Sequence, residues 1–311
     1  MNPKVLVTGV GGDVGQSIVS VIRKRFPEFE IIGSDMSLGH AGEFIVDKFF
    51  VSPRATEVNF KFWIEQIISN NSIDFVVPTS DDEIAQMISV DHWKVPILVP
   101  NRESISIGQD KLATSKFLEF NELLFPMTKE IDQTKLFSFP CIVKPRRGQG
   151  SKNVSICYSE ADLNYFKKHG TELILQELLT PSEMEITCGV YRNRKGETAV
   201  IALRRKLVGG TTTWVQVVYE DSIEQYCKSI ADKLNLQGSM NVQLILTKLG
   251  PIAFEINSRF SSTVAIRDEL GFTDLVWSIQ ENFLNQEIVF YAPAPGLVAY
   301  KIPTVRVVKN L

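Results

Sequence analysis

The chain is predicted to be α/β, opening with a Rossmann-like lobe and continuing as mixed α+β structure. Two observations predict it. A strand, a glycine loop, a helix and a second strand follow one another within the first 35 residues. Later, apolar segments alternate with period two and are joined by polar turns, which is the pattern of antiparallel strands.

Lys4 to Thr8 read as a strand, and Gly9 to Gly15 open a helix over Gln16 to Arg25. The second strand, Glu30 to Gly33, ends at Asp35, where an acid would sit near a cofactor ribose. Glu57 to Asn70 carries Phe60, Trp63, Ile64, Ile67 and Ile68, an apolar stripe of helical period. Ile73 to Pro78 is an apolar strand leading to Thr79-Ser80-Asp81-Asp82-Glu83. That acidic cluster either lines a cleft at a strand's carboxyl end or caps the next helix through Ser80 or Asp81, and capping is favoured. Val95 to Pro100 reads as the last strand of the lobe, and Asn101 to Leu124 as helical, carrying Lys111.

Phe139 to Lys144 is an apolar strand ending in a cation, followed by Arg146-Arg147-Gly148-Gln149-Gly150-Ser151-Lys152. Such a loop can fold over a polyphosphate through backbone N–H groups, although an exposed hairpin explains it as readily. Ser159 resembles a helix start and Gly170 its stop. Ile174 to Leu179 is strand-like, and Glu183-Met184-Glu185-Ile186 follow a short linker. A polar turn, Tyr191 to Lys195, separates two further strands, and Ile223, Tyr226, Cys227, Ile230, Ala231 and Leu234 mark a helix. The tail, Gly296 to Leu311, is strand-like and basic, with no placeable motif.

The most informative segment is 241–259. Its first half sets Val242, Leu244 and Leu246 on one face and Asn241, Gln243 and Ile245 on the other. Its second sets Ile252, Phe254 and Ile256 opposite Ala253, Glu255 and Asn257. Lys248-Leu249-Gly250 suits a three-residue loop, a register that pairs Thr247 with Pro251 and Gln243 with Glu255. A carboxylate with two carboxamide oxygens suits magnesium shared with phosphates, while a hairpin with a merely polar outer face is the bland alternative.

Taken together, these parts resemble the ATP-grasp superfamily, most closely a single half of the carbamoyl-phosphate-synthase large-subunit type. The resemblance runs from the glycine-rich N-terminus to about residue 285. It implies a Rossmann-like pre-ATP-grasp lobe (1–100), linking helices with a small lobe (101–172) and a C-terminal lobe with the metal site (173–311). By the resemblance, Gln243, Glu255 and Asn257 hold magnesium (or manganese), and Arg259 contacts the terminal phosphate. Lys111 and Lys144 hold the phosphates of ATP, and Gly148, Gly150 and Ser151 belong to the loop that closes over them. Gln176, Glu177 and Leu178 form the hinge that reads adenine, and Glu183 meets the ribose. A serine stands at 258, where the family often has proline, and the glycine loop is leaner than usual.

The implied activity is ATP-dependent carboxylate–amine ligation, with catalysis assigned to Arg259 and Lys144. Arg204 is the candidate grip for an acceptor carboxylate because its guanidinium offers a bidentate fork, a solvated basic strand edge being the alternative. The implied partners are a small carboxylate and an amine, and a dimer is expected by resemblance alone.

Composition agrees. A net charge of −3 argues against a nucleic-acid binder, whose affinity needs a basic surface. No run approaches the ~20 apolar residues that span a bilayer, and no leader is visible. Four cysteines without CxxC spacing suggest buried free thiols in a reducing cytoplasm, and three scattered histidines suggest neither zinc nor a triad. Two rivals remain: an ATP-binding sensor without ligation, and a short-chain dehydrogenase. TGVGGDVG fits the glycine spacing of the latter, but its catalytic Tyr-x-x-x-Lys has a match only at Tyr191 to Lys195, in a turn rather than a helix.

Overall fold

The computed structural model describes residues 2–90, 92–133, 137–148, 153–179, 185–208 and 211–302. The N-terminal lobe contains β1 (Lys4–Val7), α1 (Asp13–Arg25), β2 (Glu30–Asp35), β3 (Lys48–Val51), α2 (Phe60–Asn71), β4 (Phe75–Val77) and α3 (Asp81–Ile88). Its strands are all parallel, in the order β3-β2-β1-β4. The middle of the sheet is buried on both sides, which is why β1 and β4 are nearly continuously apolar. Val95 to Pro100 does not extend as a strand. It makes a single parallel bridge, Val76 to Ile97, because Pro96 and Pro100 lack the N–H groups a ladder needs.

Capping decides the start of α3. The Ser80 hydroxyl accepts from Glu83 N, and the Glu83 carboxylate accepts from Ser80 N, a reciprocal box. Glu83 is buried and also accepts from the Thr8 hydroxyl at 2.8 Å. Burial pushes its carboxyl up, against the pull of these donors. Ser80→Ala is expected to cost about 1 kcal/mol of stability in urea unfolding; an unchanged midpoint would show that the box contributes nothing.

The segment expected as one helix is two, α4 (Arg102–Gly108) and α5 (Lys111–Phe120). Asp110 breaks it, because its carboxylate accepts from Leu112 N and Ala113 N and so begins a new helix. A small antiparallel sheet follows, of β5 (Thr128–Glu130), β6 (Cys141–Pro145), β7 (Ser155–Cys157) and β8 (Leu173–Glu177), in the order β5-β8-β6-β7 and packed under α6 (Glu160–His169). β8 thus lies in the small sheet rather than at the head of the C-terminal lobe.

The large sheet is formed by β9 (Glu185–Arg192), β10 (Thr198–Val208), β11 (Thr211–Val218), β12 (Gly238–Thr247), β13 (Gly250–Asn257) and β14 (Val298–Tyr300). Their order is β13-β12-β9-β10-β11-β14. Helix α7 (Asp221–Lys233) covers one face through Ile223, Cys227, Ile230 and Ala231. Helices α8 (Val264–Glu269) and α9 (Asp274–Asn282) join the sheet's other face to the N-terminal lobe, with Val264, Leu275 and Ile279 packing in the same core as Ile18 and Ile22 of α1. All four cysteines are buried and free, and no described helix is long and apolar enough to cross a membrane.

Candidate active site

The hairpin β12–β13 has a two-residue turn, Lys248-Leu249, with Thr247 opposite Gly250, rather than the three-residue loop expected. A bulge between Gln243 and Leu244 on one strand, opposite Phe254 on the other, restores the register, so Gln243 still faces Glu255 and Asn241 faces Asn257. The bulge also changes the faces. Ala253 joins Leu244 in the core, while Phe254 turns to the cleft with Glu255.

Opposite this hairpin stands the small sheet, and between them lies a cleft of about 1270 Å³. Lys144 and Gln176 enter from β6 and β8, Gln243, Phe254 and Glu255 from the hairpin, and Lys111 from α5. Lys144 is almost wholly buried, and its Nζ donates to Gln176 Oε1 at 2.8 Å and to Phe254 O at 3.4 Å. Burial pulls its amine down to about 8, against the charge of Glu255, and Lys111 adds to the fall. Gln176 is held in turn by its amide donating to Thr128 Oγ1 at 3.0 Å. Its side chain therefore orients Lys144, and Gln176, Glu177 and Leu178 all line the cleft.

Lys111 opens α5 and donates to Gly148 O at 2.7 Å, at the root of the glycine loop. Arg146 grips Asp110 through Nε at 2.9 Å and Nη2 at 2.7 Å, tying that root to the α5 cap. Arg147 is exposed and lines the cleft. Gly150, Ser151 and Glu183 lie outside the described residues.

Arg204 does not line the cleft. Register sets it beside Ile186, on the α7 face of the sheet, and the adjacent Arg205 takes the cleft face. Arg205 Nη2 donates to Glu185 Oε1 at 2.8 Å and to Gln243 Oε1 at 3.0 Å. Sequence reasoning gave neither Arg205 nor Glu185 a role of its own, because only the pairing of β9, β10 and β12 sets their side. Arg259 lies past the end of β13, where its Nε donates to Asp81 Oδ1 at 2.8 Å. Ser258 donates to Ser104 O at 2.5 Å, fastening the same strand end to α4.

The donor set fits a magnesium ion. Glu255 offers a carboxylate and Asn257 a carboxamide from alternate positions of one strand, and the Gln243 oxygen keeps a second lone pair beyond its bond to Arg205. The N-terminal glycine loop, in contrast, is closed upon itself. Gly11 N donates to Asp35 Oδ2 at 2.9 Å, and a Cβ at Gly11 would meet Asp35 and His40. Tyr191 is a buried strand residue bonded to Glu281, not part of the turn, and Lys195 pairs with Glu287. The dehydrogenase chemistry has no place here.

Comparison with known proteins points one way. The ATP-grasp domain family matches residues 108–263, just over half of the chain. The carbamoyl phosphate synthase large chain of Clostridium botulinum is 21% identical across 97% of this chain, which spans 32% of that protein. The carbamoyl-phosphate synthase of Methanobrevibacter smithii is 21% identical, covering 70% of this chain and 64% of its own. Among solved structures, an ADP complex of N5-carboxyaminoimidazole ribonucleotide synthetase superposes with a TM-score of 0.75 at 18% identity, over 92% of this chain and 78% of that one. The L-amino acid ligase of Bacillus licheniformis superposes at 0.69 with 14% identity, over 91% and 74%.

Proposed function

The chain belongs to the ATP-grasp family, and from that premise we propose that it is an ATP-dependent ligase joining a carboxylate to an amine. The observation that carries this reading is one cleft with two lysines on one wall and a carboxylate–carboxamide hairpin on the other. Lys144 and Lys111 hold the nucleotide phosphates, Lys144 being kept in line by Gln176. Glu177 and Leu178 border the base. Glu185, a cleft carboxylate just beyond the hinge, fits the ribose role expected of Glu183. Gln243, Glu255 and Asn257 hold magnesium, which when bound neutralises charge on the β- and γ-phosphates. A carboxylate oxygen of the substrate attacks the γ-phosphorus as the bond to ADP breaks, with Arg259 stabilising the phosphoryl group in transit. The amine then attacks the acyl carbon of the acyl phosphate and expels phosphate. Arg205 organises Glu185 and Gln243, so the grip on the acceptor carboxylate does not pass to it from Arg204.

The test is release of ADP and phosphate from MgATP against pooled amino acids and small carboxylic acids. Acceptor-dependent turnover is the expected result, and tight MgATP binding without turnover for any pool would favour a sensor.

Lys144 supplies a further expectation. Its amine titrates near about 8 because it is buried, and bound phosphates favour its charged form. MgATP binding at about pH 9 should therefore take up a proton, and at about pH 6.5 should not. Calorimetry in buffers of different ionisation enthalpy reads this directly; equal uptake at both values would dismiss Lys144 as its source. Stability follows the same shift. Above about 8 the unfolded chain holds this proton longer than the folded one, so stability contributed by Lys144 rises with pH toward the ordinary lysine range.

A further inference from the structure

Asp81 is the first residue of α3, at the carboxyl end of β4, and its side chain is not used for capping, which Ser80 performs. Its carboxylate instead crosses the lobe boundary to Arg259, with Nε to Oδ1 at 2.8 Å and the two side chains 26% and 11% exposed. Its backbone oxygen accepts from Gln109 Nε2 at 2.8 Å, in the turn that leads to Lys111. One N-terminal residue thus touches both the strand end bearing Arg259 and the turn before a phosphate-holding lysine. Docking of the lobes does not depend on this pair. The shared apolar core around α1, α8 and α9 joins them, as do Arg25 and Lys24 with Asp268.

We propose that Asp81 is a positioning residue, which fixes the guanidinium of Arg259 for the terminal phosphate of ATP. An arginine side chain gives up much of its rotamer freedom when it is immobilised. A carboxylate that immobilises it beforehand removes that cost from phosphate binding, which is how preorganisation raises affinity. The inference rests on the phosphate role proposed for Arg259, and the experiment separates the two.

Affinities for MgATP and MgADP are measured by calorimetry for the unaltered chain, Asp81→Ala, Arg259→Ala and the double variant. Because only ATP carries the terminal phosphate, Arg259→Ala should weaken MgATP relative to MgADP by about tenfold, the worth of a charge-assisted hydrogen bond. Asp81→Ala should show a selective loss of similar size, and the double variant should be no worse than Arg259→Ala. A loss that is equal for both nucleotides would mark a merely structural role and overturn the inference. An unchanged ratio in Asp81→Ala beside a lowered one in Arg259→Ala would leave the role of Arg259 intact and dismiss that of Asp81. An unaltered chain that binds neither nucleotide would remove the proposed function and the inference together. Should Asp81→Ala fail to fold, Asp81→Asn keeps the volume and carries the same comparison.

Discussion

Glu255→Gln is expected to lower acceptor-dependent ATP turnover by roughly 10²- to 10³-fold, the scale at which removal of an electrostatic group in an active site is felt. Glu255 carries the negative charge of the donor set formed with Gln243 and Asn257, and the amide replaces it at nearly constant volume. Its carboxylate also favours the charged form of Lys144. The substitution therefore weakens both walls of the cleft, the one that would hold magnesium and the one that would hold phosphate. Folding should be spared, because Glu255 lies at the cleft surface rather than in the core. Steady-state release of ADP, with a thermal melt as control, reads the outcome. Turnover within about threefold of the unaltered chain would exclude Glu255 from the chemistry, since that is a small fraction of the loss expected.

Asp274→Ala is expected to destabilise the fold by about 3–5 kcal/mol, the cost of leaving a buried charge without its partner. Arg267 is wholly buried, its Nη2 donates to Asp274 Oδ2 at 2.6 Å, and Ser239 donates to the same oxygen at 2.6 Å. Arg267 also donates to the hydroxyls of Ser261 and Thr263 at 2.9 Å, so its charge is satisfied only as a network. The sheet makes room for it at Gly189, where a Cβ would stand 2.7 Å from Arg267 Cδ. Urea unfolding measures the loss. A change below about 1 kcal/mol would show that water or another group compensates Arg267.

How far the sequence could be read depended on whether a local pattern existed. The β1–α1–β2 start was legible because a strand period gives way to a glycine loop and a helix within 35 residues. The facing of Gln243 and Glu255 was legible too, though for an incomplete reason. A turn one residue shorter than expected is offset by a bulge one residue longer, and alternation cannot reveal two errors that cancel. Which of Arg204 and Arg205 faces the cleft was not legible, for a related cause. The polar run Arg204-Arg205-Lys206 gives no apolar phase of its own, and the register with β9 and β11 that orients it is non-local. The break at Asp110 had a signal that was not used, an acid before a helix-forming run. Gln176 pointing to Lys144, and Asp81 meeting Arg259 from 178 positions away, leave no trace in spacing at all.

The most direct measurement follows an oxygen atom. A pool of amino acids and small carboxylic acids carrying ¹⁸O in their carboxyl groups is incubated with MgATP and the protein in ordinary water, and the released phosphate is weighed. Attack by a carboxylate on the γ-phosphorus transfers one labelled oxygen to each phosphate formed. Unlabelled phosphate released alongside ADP would mean that water, not a carboxylate, takes the phosphoryl group, and would contradict carboxylate activation by this protein.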